Sequence, residues 1–331
     1  MPGRLTFFKK LFSSYVSARA MRRGEVTRKQ KHFLKEALLD LLEERQLLAS
    51  YSASGTELII RLDVPNQNLT VTSLGLSYLF TLSPSSSNWT GTGIASVSGA
   101  TLTANVASLA TYSTFTILRS ANNTGVNFAN SGANSYSDNF NVSIANATAP
   151  GMSGCITFTG NTTFSGGNNF SIVTDRSVTM SANSSLTMNN GSLLMNINTQ
   201  ATPKVFANSG LTVNNATIQT LGNGQTTIAA RGGIGPCSTY QNKGVAVVNG
   251  GRIIGGTTGT ISITGYGYNN LSGGVVQGQG VLVYSTNTTA TSTISSLGAN
   301  VVVTGYGANE TNANLSSIPS GPHITNAGVV V

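Results

Sequence analysis

Short alternating runs of apolar and polar residues fill the chain from Glu57 onward. In one of them Ile156 and Phe158 flank Thr157, and in another Leu186 and Met188 flank a threonine. A period of two places the apolar side chains on one face of a strand, because successive side chains of a strand point to opposite faces. Gly-Gly, Asn-Gly and Ser-Gly pairs between the runs supply turns that need positive φ. The pattern predicts many short strands and no amphipathic helix after residue 50.

Internal repetition distinguishes among the architectures that short strands can build. The segment Thr264-Gly265-Tyr266-Gly267 recurs as Thr304-Gly305-Tyr306-Gly307, and each copy follows an apolar strand. A second pattern, Gly-Val-x-Val, begins at Gly244, Gly280 and Gly328, and its second interval is longer than its first. Unequal spacing between similar strands is typical of stacked coils whose loops differ in length.

The repeats predict an all-β body that forms a parallel β-helix, right-handed by preference, or a related β-solenoid. Coils of about 20–25 residues would carry ladders of Asn and Thr from coil to coil. Residues 151–331 are expected to form the solenoid repeats, and 51–150, which show no clear repeat, either start the solenoid or form a sandwich. Residues 325–331 resemble the start of a repeat, so we expect the repeats to continue beyond Val331.

Residues 1–50 form a different kind of segment. They carry 11 Lys/Arg and 5 Asp/Glu, whereas positions 51–331 carry 7 Lys/Arg and 5 Asp/Glu. Thr27 and Gln30 form a capping-box pattern, which predicts a helix from about Arg28 to about Leu48. The acid-free stretch from Arg4 to Arg23 fits an amphipathic helix on a membrane surface, a transit peptide or a disordered basic tail. We therefore expect a basic helical sorting or export segment.

Composition excludes several classes of function for the body. Its few Lys and Arg residues lie far apart in sequence, so we expect no nucleic-acid partner. Charged residues make up 8% of the chain, yet its many Val, Ile and Thr residues favour strands over disorder. No stretch reaches the roughly 18 apolar residues of a transmembrane helix.

Residues for catalysis or metal binding are sparse. The two histidines are His32 and His323, and Cys155 and Cys237 lie far apart without a CxxC motif, which leaves a disulfide between them open. We therefore predict no metal and no cofactor. Glycoside hydrolysis needs two nearby carboxyl groups, and the one pair that could align on neighbouring coils is Asp138 and Asp175. We interpret both as solvated turn residues, so the sequence predicts a protein that is not an enzyme.

The end of the predicted helix resembles a known sorting motif. The segment at 42–48, LEERQLL, is similar to the LEPR-XLL motif of large surface repeat proteins from planctomycete-type bacteria. Leu42, Glu43, Arg45, Leu47 and Leu48 agree with the motif, and Glu44 replaces its proline. The resemblance implies that export or sorting machinery recognises residues 1–50.

The body resembles the same bacterial repeat proteins and, more loosely, filamentous-haemagglutinin-like adhesins and autotransporter passenger domains. The segments that carry the likeness are 69–75, 131–146, 156–172 and the two TGYG strands. The resemblance implies a cell-surface or secreted location at the outer envelope, with surface glycans or other cells as partners.

These observations lead to a main hypothesis and two alternatives. The main hypothesis is a non-enzymatic cell-surface or secreted repeat protein, adhesin-like or structural in the envelope. The first alternative is a carbohydrate-active β-helix enzyme, a polysaccharide lyase or hydrolase. The second is a purely structural fragment without a ligand.

Overall fold

The computed structural model describes residues 48–75, 77–83, 88–92, 96–98, 100–105, 112–119, 124–130, 135–145, 155–200, 209–233, 242–267, 278–285, 290–307 and 329–330. These residues form strands joined by turns, and no helix occurs among them. The predicted basic helical segment lies outside them up to Leu47. Leu48 begins a strand that pairs in parallel with the strand at Asn88, so the prediction that a helix extends to Leu48 is wrong.

The first seven strands are mostly antiparallel. They are β1 (Leu48–Ser54), β2 (Glu57–Leu62), β3 (Asn68–Ser73), β4 (Ser77–Ser83), β5 (Asn88–Thr92), β6 (Ser96–Ser98) and β7 (Thr101–Asn105). β1 pairs antiparallel with β2, β3 with β4, and both β4 and β6 with β7. These strands lie at one end of two sheets that continue through the later strands.

The later strands pair in parallel throughout the described chain. They are β8 (Thr114–Arg119), β9 (Gly125–Phe128), β10 (Ser135–Tyr136), β11 (Asn139–Ser143), β12 (Ile156–Phe158), β13 (Asn161–Phe164), β14 (Phe170–Thr174), β15 (Val178–Met180), β16 (Ser185–Asn189), β17 (Leu193–Ile197), β18 (Leu211–Asn214), β19 (Thr217–Leu221), β20 (Thr226–Arg231), β21 (Val245–Val248), β22 (Arg252–Gly255), β23 (Ile261–Tyr266), β24 (Val281–Tyr284), β25 (Thr293–Ser296), β26 (Val301–Tyr306) and β27 (Val329–Val330).

Every third strand returns to the same sheet. Sheet A has the order β26-β23-β20-β17-β14-β11-β8-β2-β1-β5, sheet B the order β27-β24-β21-β18-β15-β12-β9-β3-β4-β7-β6, and sheet C the order β10-β13-β16-β19-β22-β25. The chain thus passes through A, B and C in each coil before it stacks on the previous coil. The prediction of an all-β body with parallel strands is confirmed, and the arrangement is solenoid-like.

Coil length varies from one coil to the next, as the unequal spacing of the repeated segments predicts. Phe170 pairs with Leu193 in the next coil, whereas Ile261 pairs with the much more distant Val301. The coil length predicted from the sequence therefore holds only for the shortest coils. The expected polar ladders are present at the turns and on outward faces: Asn215 donates to Asn183 at 3.0 Å, and Gln219 donates to Thr187 at 2.9 Å.

Inward-facing side chains of equivalent position form columns that cross the stack. One buried cluster extends from Ala49 to Val283. Its early coils are aromatic, and Phe140 lies 5.0 Å from both Phe115 and Tyr136, measured between ring centroids. The side chains in these columns are smaller in the later coils. A sheet A column reads Phe115, Phe140, Phe170, Leu193, Thr226 and Ile261, and a sheet C column reads Tyr136, Phe164, Met188 and Thr220.

The smaller later core also contains a matched polar pair. Thr220 and Thr226 are buried where their two columns both change to threonine, and their hydroxyl oxygens are 3.0 Å apart. Each hydroxyl therefore has a partner, which avoids the cost of burying an unsatisfied polar group.

The inward column at the carboxyl end of the sheet A strands contains only glycine in the later coils. Thr174, Ile197, Ala230, Gly265 and Gly305 follow one another in register. A Cβ atom on Gly265 would lie 1.9 Å from the carbonyl oxygen of Gly280 at the start of sheet B. Sheets A and B therefore approach each other backbone to backbone at this corner, and the repeated glycine of TGYG is required by that close approach.

Replacing Gly265 with alanine is expected to destabilise the later coils by about 1–3 kcal/mol, the usual cost of overpacking. Amide hydrogen exchange should show faster exchange in β23 and β24, because repeat proteins lose stability locally. Thr264→Ala, one residue earlier on the outward face, is the control and should change the exchange little. Equal protection of β23 in the two variants would contradict the close-approach explanation.

Candidate binding surface at the corner between sheets A and B

Variation in coil length is concentrated at one corner of the stack. Connections from sheet A to sheet B range from the short segment 175–177 to the long segment 307–328. The longest connection from B to C is 285–292, and the longest from C to A are 165–169 and 256–260. In repeat proteins, insertions of variable length gather on one face, which is often the binding face. The A/B corner is therefore the candidate functional surface.

Three side chains form a ladder at the base of the longest connections. Arg231, Tyr266 and Tyr306 end β20, β23 and β26, and they are paired in register from coil to coil. The Tyr266 and Tyr306 rings stack with centroids 4.9 Å apart and planes 6° apart. The Arg231 guanidinium carbon lies 5.1 Å from the Tyr266 ring centroid, at cation–π distance. We call these three residues the corner ladder.

The repeat motif supplies the two tyrosines of the corner ladder and the glycines next to them. Thr264 and Thr304 pair in register on the outward face, Gly265 and Gly305 face inward, and Tyr266 and Tyr306 face outward. Gly267 donates its N–H to the carbonyl oxygen of Tyr306 at 2.8 Å, which holds the chain as it leaves the sheet. Gly307 follows directly after β26. Tyr306 is 52% exposed.

Glycines at the start of the sheet B strands pack against the backbone of the ladder tyrosines. A Cβ atom on Gly244 would lie 2.3 Å from the backbone nitrogen of Tyr266, and one on Gly280 would lie 2.4 Å from that of Tyr306. The start of each of these B strands therefore packs directly against the backbone that carries a ladder tyrosine. Arg231 was not recognised as a site residue in the sequence. Its position in the sequence could have identified it: Arg231 lies three positions after Ile228 and directly before a glycine, and Tyr266 has the same relation to Ile263.

A row of buried polar residues behind the ladder was also not recognised in the sequence. Its members stand two positions before the first inward residue of a B strand, and all are at most 5% exposed: Gln67, Thr124, Arg176, Ser209, Lys243 and Gln279. Backbone bonds link the row to neighbouring coils, since Gly210 donates to the carbonyl oxygen of Lys243, and Gly244 donates to that of Gln279. The recurring signal is a polar residue, usually before glycine, followed by alternating apolar residues.

Positive charge is concentrated at this corner. Of the six described Lys and Arg residues, Arg119, Arg176, Arg231 and Lys243 lie here, whereas Arg61 and Arg252 lie on strands of sheets A and C. Burial lowers the pKa of Arg176, and the charges of Cys155 and Asp175 oppose that shift. Between residues 209 and 307, the described part of the corner contains Arg231 and Lys243 but no Asp or Glu.

Asp175 is not the solvated turn residue that the sequence predicted. It is 2% exposed, and its Oδ2 accepts a hydrogen bond from Nη2 of Arg119 at 3.0 Å. Arg119 pairs in register with Leu62, so it occupies an inward position at the end of its strand. A charge there requires a buried partner, and Asp175 supplies it from the connection after β14, two coils further along the stack.

Asp138 lies far from Asp175. Phe140 and Phe170 pair in register on neighbouring strands. Asp138 lies two positions before Phe140, and Asp175 lies five positions after Phe170. The two aspartates are therefore seven positions apart along the strand direction. At ~3.3 Å per position this is on the order of 20 Å, well beyond the carboxyl separation that glycoside hydrolysis needs. The Asp138 carboxylate accepts a hydrogen bond from the Tyr78 hydroxyl at 2.6 Å and another from the Ser137 hydroxyl at 3.2 Å. The structure therefore does not bring together the one carboxylate pair that the sequence offered.

The other described carboxylates also have hydroxyl partners. Thr116 donates to Glu57, and Ser50 donates to Asp63. Cys155 is a free thiol 3.3 Å from the hydroxyl oxygen of Ser177. No cluster of three metal-ligating side chains occurs among the described residues, and none of these residues forms a helix able to span a membrane.

Several residues singled out in the sequence lie outside the described part of the chain. They are Leu42, Glu43, Arg45 and Leu47 of the sorting motif, both histidines and Cys237. Leu48, the last residue of the motif, is the first residue of β1.

Comparisons with protein-family models, with curated proteins and with solved structures each returned no match. Function is therefore inferred from the geometry of the described residues.

Replacing Asp175 with alanine is expected to lower the free energy of unfolding by about 3–5 kcal/mol, because it leaves the Arg119 charge buried without this carboxylate. Denaturant unfolding followed by circular dichroism measures the change. The double variant Arg119→Leu with Asp175→Asn removes both charges and should recover most of the loss. A double variant as unstable as Asp175→Ala would contradict the explanation that the loss comes from an unpaired buried charge.

Stability is expected to fall as the pH rises above about 10, the ordinary pKa of tyrosine. Burial, reinforced by the hydrogen bond to Asp138, raises the pKa of Tyr78, and burial likewise raises that of Tyr136. Above this pH the unfolded chain has lost protons that the folded chain keeps, so unfolding becomes more favourable. Below it, both states keep the protons and these groups contribute no pH dependence.

Urea unfolding at a series of pH values, monitored by Trp89 fluorescence, measures this dependence. Tyr78→Phe should make the alkaline decline shallower, whereas Tyr284→Phe, which alters an exposed tyrosine, should leave it unchanged. If the two variants decline with the same slope, Tyr78 is not the source of the effect.

Proposed function

We propose that the chain is a non-enzymatic cell-surface or secreted repeat protein, adhesin-like, whose body is a right-handed parallel β-helix. The observation that carries the proposal is the contrast between a constant stacked core and connections of variable length at the A/B corner. A core of this kind keeps its columns while loops at one corner change, which suits a protein that displays a lateral binding surface.

The state of the carboxylates supports a non-enzymatic role. Glu57, Asp63, Asp138 and Asp175 each contact a hydroxyl or guanidinium group that stabilises the fold. A glycoside hydrolase on this fold would need two carboxyl groups facing one substrate bond. The separation of Asp138 from Asp175 therefore favours a binding protein over the hydrolase alternative.

Export is proposed to depend on the segment before the body. The likeness of residues 42–48 to the LEPR-XLL motif supports recognition by sorting machinery, and β1 begins at the last residue of that motif. Under this proposal the motif lies next to the first strand of the body, and surface glycans or other cells are the partners of the mature protein.

The location of the native protein tests this proposal. Arg45→Ala is expected to retain the protein inside the cell, because it removes a residue that agrees with the motif. Glu44→Ala is the matched control: it alters a charged neighbour that departs from the motif and should leave export as in the wild type. Cell fractionation and N-terminal sequencing give the readout. A native protein that is soluble in the cytoplasm with an intact N-terminus would contradict the proposal.

A further inference from the structure

The corner ladder has the geometry of a binding site for a polymer. We propose that Arg231, Tyr266 and Tyr306 bind an extended acidic polysaccharide, one that contains uronic acid units, with the sugar chain running across successive coils. This site rests on the proposed function, because it supplies the class of ligand that the lateral surface would bind.

The periodicity of the ladder matches that of a sugar polymer. The three side chains stand at one register position on consecutive strands, so their polar ends repeat at the spacing of the coils. The two measured steps are 5.1 Å from guanidinium to ring and 4.9 Å from ring to ring. One pyranose ring in an extended glycan advances by a similar distance, so each sugar can face one rung. Phenol hydroxyls can both donate to and accept from sugar hydroxyls.

The exposed aromatic face suits the apolar side of a sugar ring. Arg231 covers one side of Tyr266 and Tyr306 covers the other, and the Tyr306 side chain is 52% exposed. One face of a pyranose ring presents C–H bonds with slight positive polarity, which pack well on the negative face of an aromatic ring. The stack holds the tyrosines rigid before binding, which lowers the entropy lost on association.

The local charge favours an acidic sugar. Arg231 is only partly buried, and its planar guanidinium can donate two parallel hydrogen bonds to one carboxylate. Lys243 lies behind it in the buried row, and no Asp or Glu occurs among the described corner residues from 209 to 307. A uronate carboxylate would therefore be attracted to this part of the surface, whereas a neutral sugar would not use Arg231 fully.

A polysaccharide fits the ladder better than another polyanion does. A nucleic acid or an acidic peptide would be held mainly by several charge contacts along its backbone, but the ladder offers one partly exposed cation and two tyrosines. An acidic peptide also lacks an apolar ring face for Tyr306. Binding of a simple polyanion is therefore an outcome that the experiment must distinguish.

Isothermal titration of the full chain with oligogalacturonate, in calcium-free buffer, tests the proposal. The methyl-esterified oligomer is the matched ligand control, because it keeps the sugar rings and removes the charge. Arg231→Gln and Tyr306→Ala are each expected to weaken binding about tenfold or more, the loss expected for a charge-assisted hydrogen bond or a stacked ring. Binding of the charged oligomer should also weaken with added salt.

Matched variants elsewhere on the body control for general effects. Arg252→Gln removes an exposed cation on sheet C, and Tyr284→Ala removes a 44% exposed tyrosine on sheet B, and both should bind like the wild type. Tyr306→Phe keeps the ring and should retain most of the affinity. Circular dichroism and amide exchange of β23 check that each variant is folded.

Four results would overturn the proposal: no binding of oligogalacturonate, equal binding of the methyl ester, equal binding of poly-glutamate, or an equal loss with Arg252→Gln. These results leave the proposed location of the protein untouched, because fractionation measures that separately. Conversely, a protein found only in the cytoplasm would overturn the proposed function even if the ladder bound the oligomer.

Discussion

From β8 onward each strand pairs in parallel with its equivalent in the next coil, and the packing of the core follows from this pairing. Because pairing is in register, each inward residue contacts the residue of the same position in the coils on both sides. A side chain therefore has to fit a column as well as its own strand. The alternation of apolar and polar residues then becomes three continuous inner faces, and one buried cluster extends from Ala49 to Val283.

The columns explain why the later coils differ from the early ones. Phe140 packs among other aromatic rings in the early coils, whereas in a later coil Gly265 lies directly against the backbone of Gly280. The end of sheet A meets the start of sheet B at this point, where the chain leaves in its longest connections. The corner ladder therefore arises from the same close approach that selects the glycines of the repeat. Its rigidity is a property of the stack, because each ring is supported by the coil beside it.

Buried polar residues also recur at equivalent positions of successive coils. The row from Gln67 to Gln279 repeats at one position behind the corner, and backbone hydrogen bonds link it from coil to coil. Arg119 and Asp175 form a buried ion pair between coils. A buried charge is costly unless it is paired, and the stacked coils bring this partner close. Asp138 is likewise engaged by Tyr78. The described acidic residues of the body thus have structural roles, which is why a carboxylate count alone misdirects the search for catalysis.

The all-β fold and its repeats are readable from local patterns in the sequence. Alternation around Ile156 predicts strands, and the recurrence of TGYG at Tyr266 and Tyr306 predicts stacked coils. Three relations are visible only in the folded chain: Arg231 joins the two tyrosines, Asp175 is buried against Arg119, and Asp138 lies far from Asp175. Those relations depend on register between strands that are distant in sequence, and connections of unequal length hide that register from any fixed period in the chain.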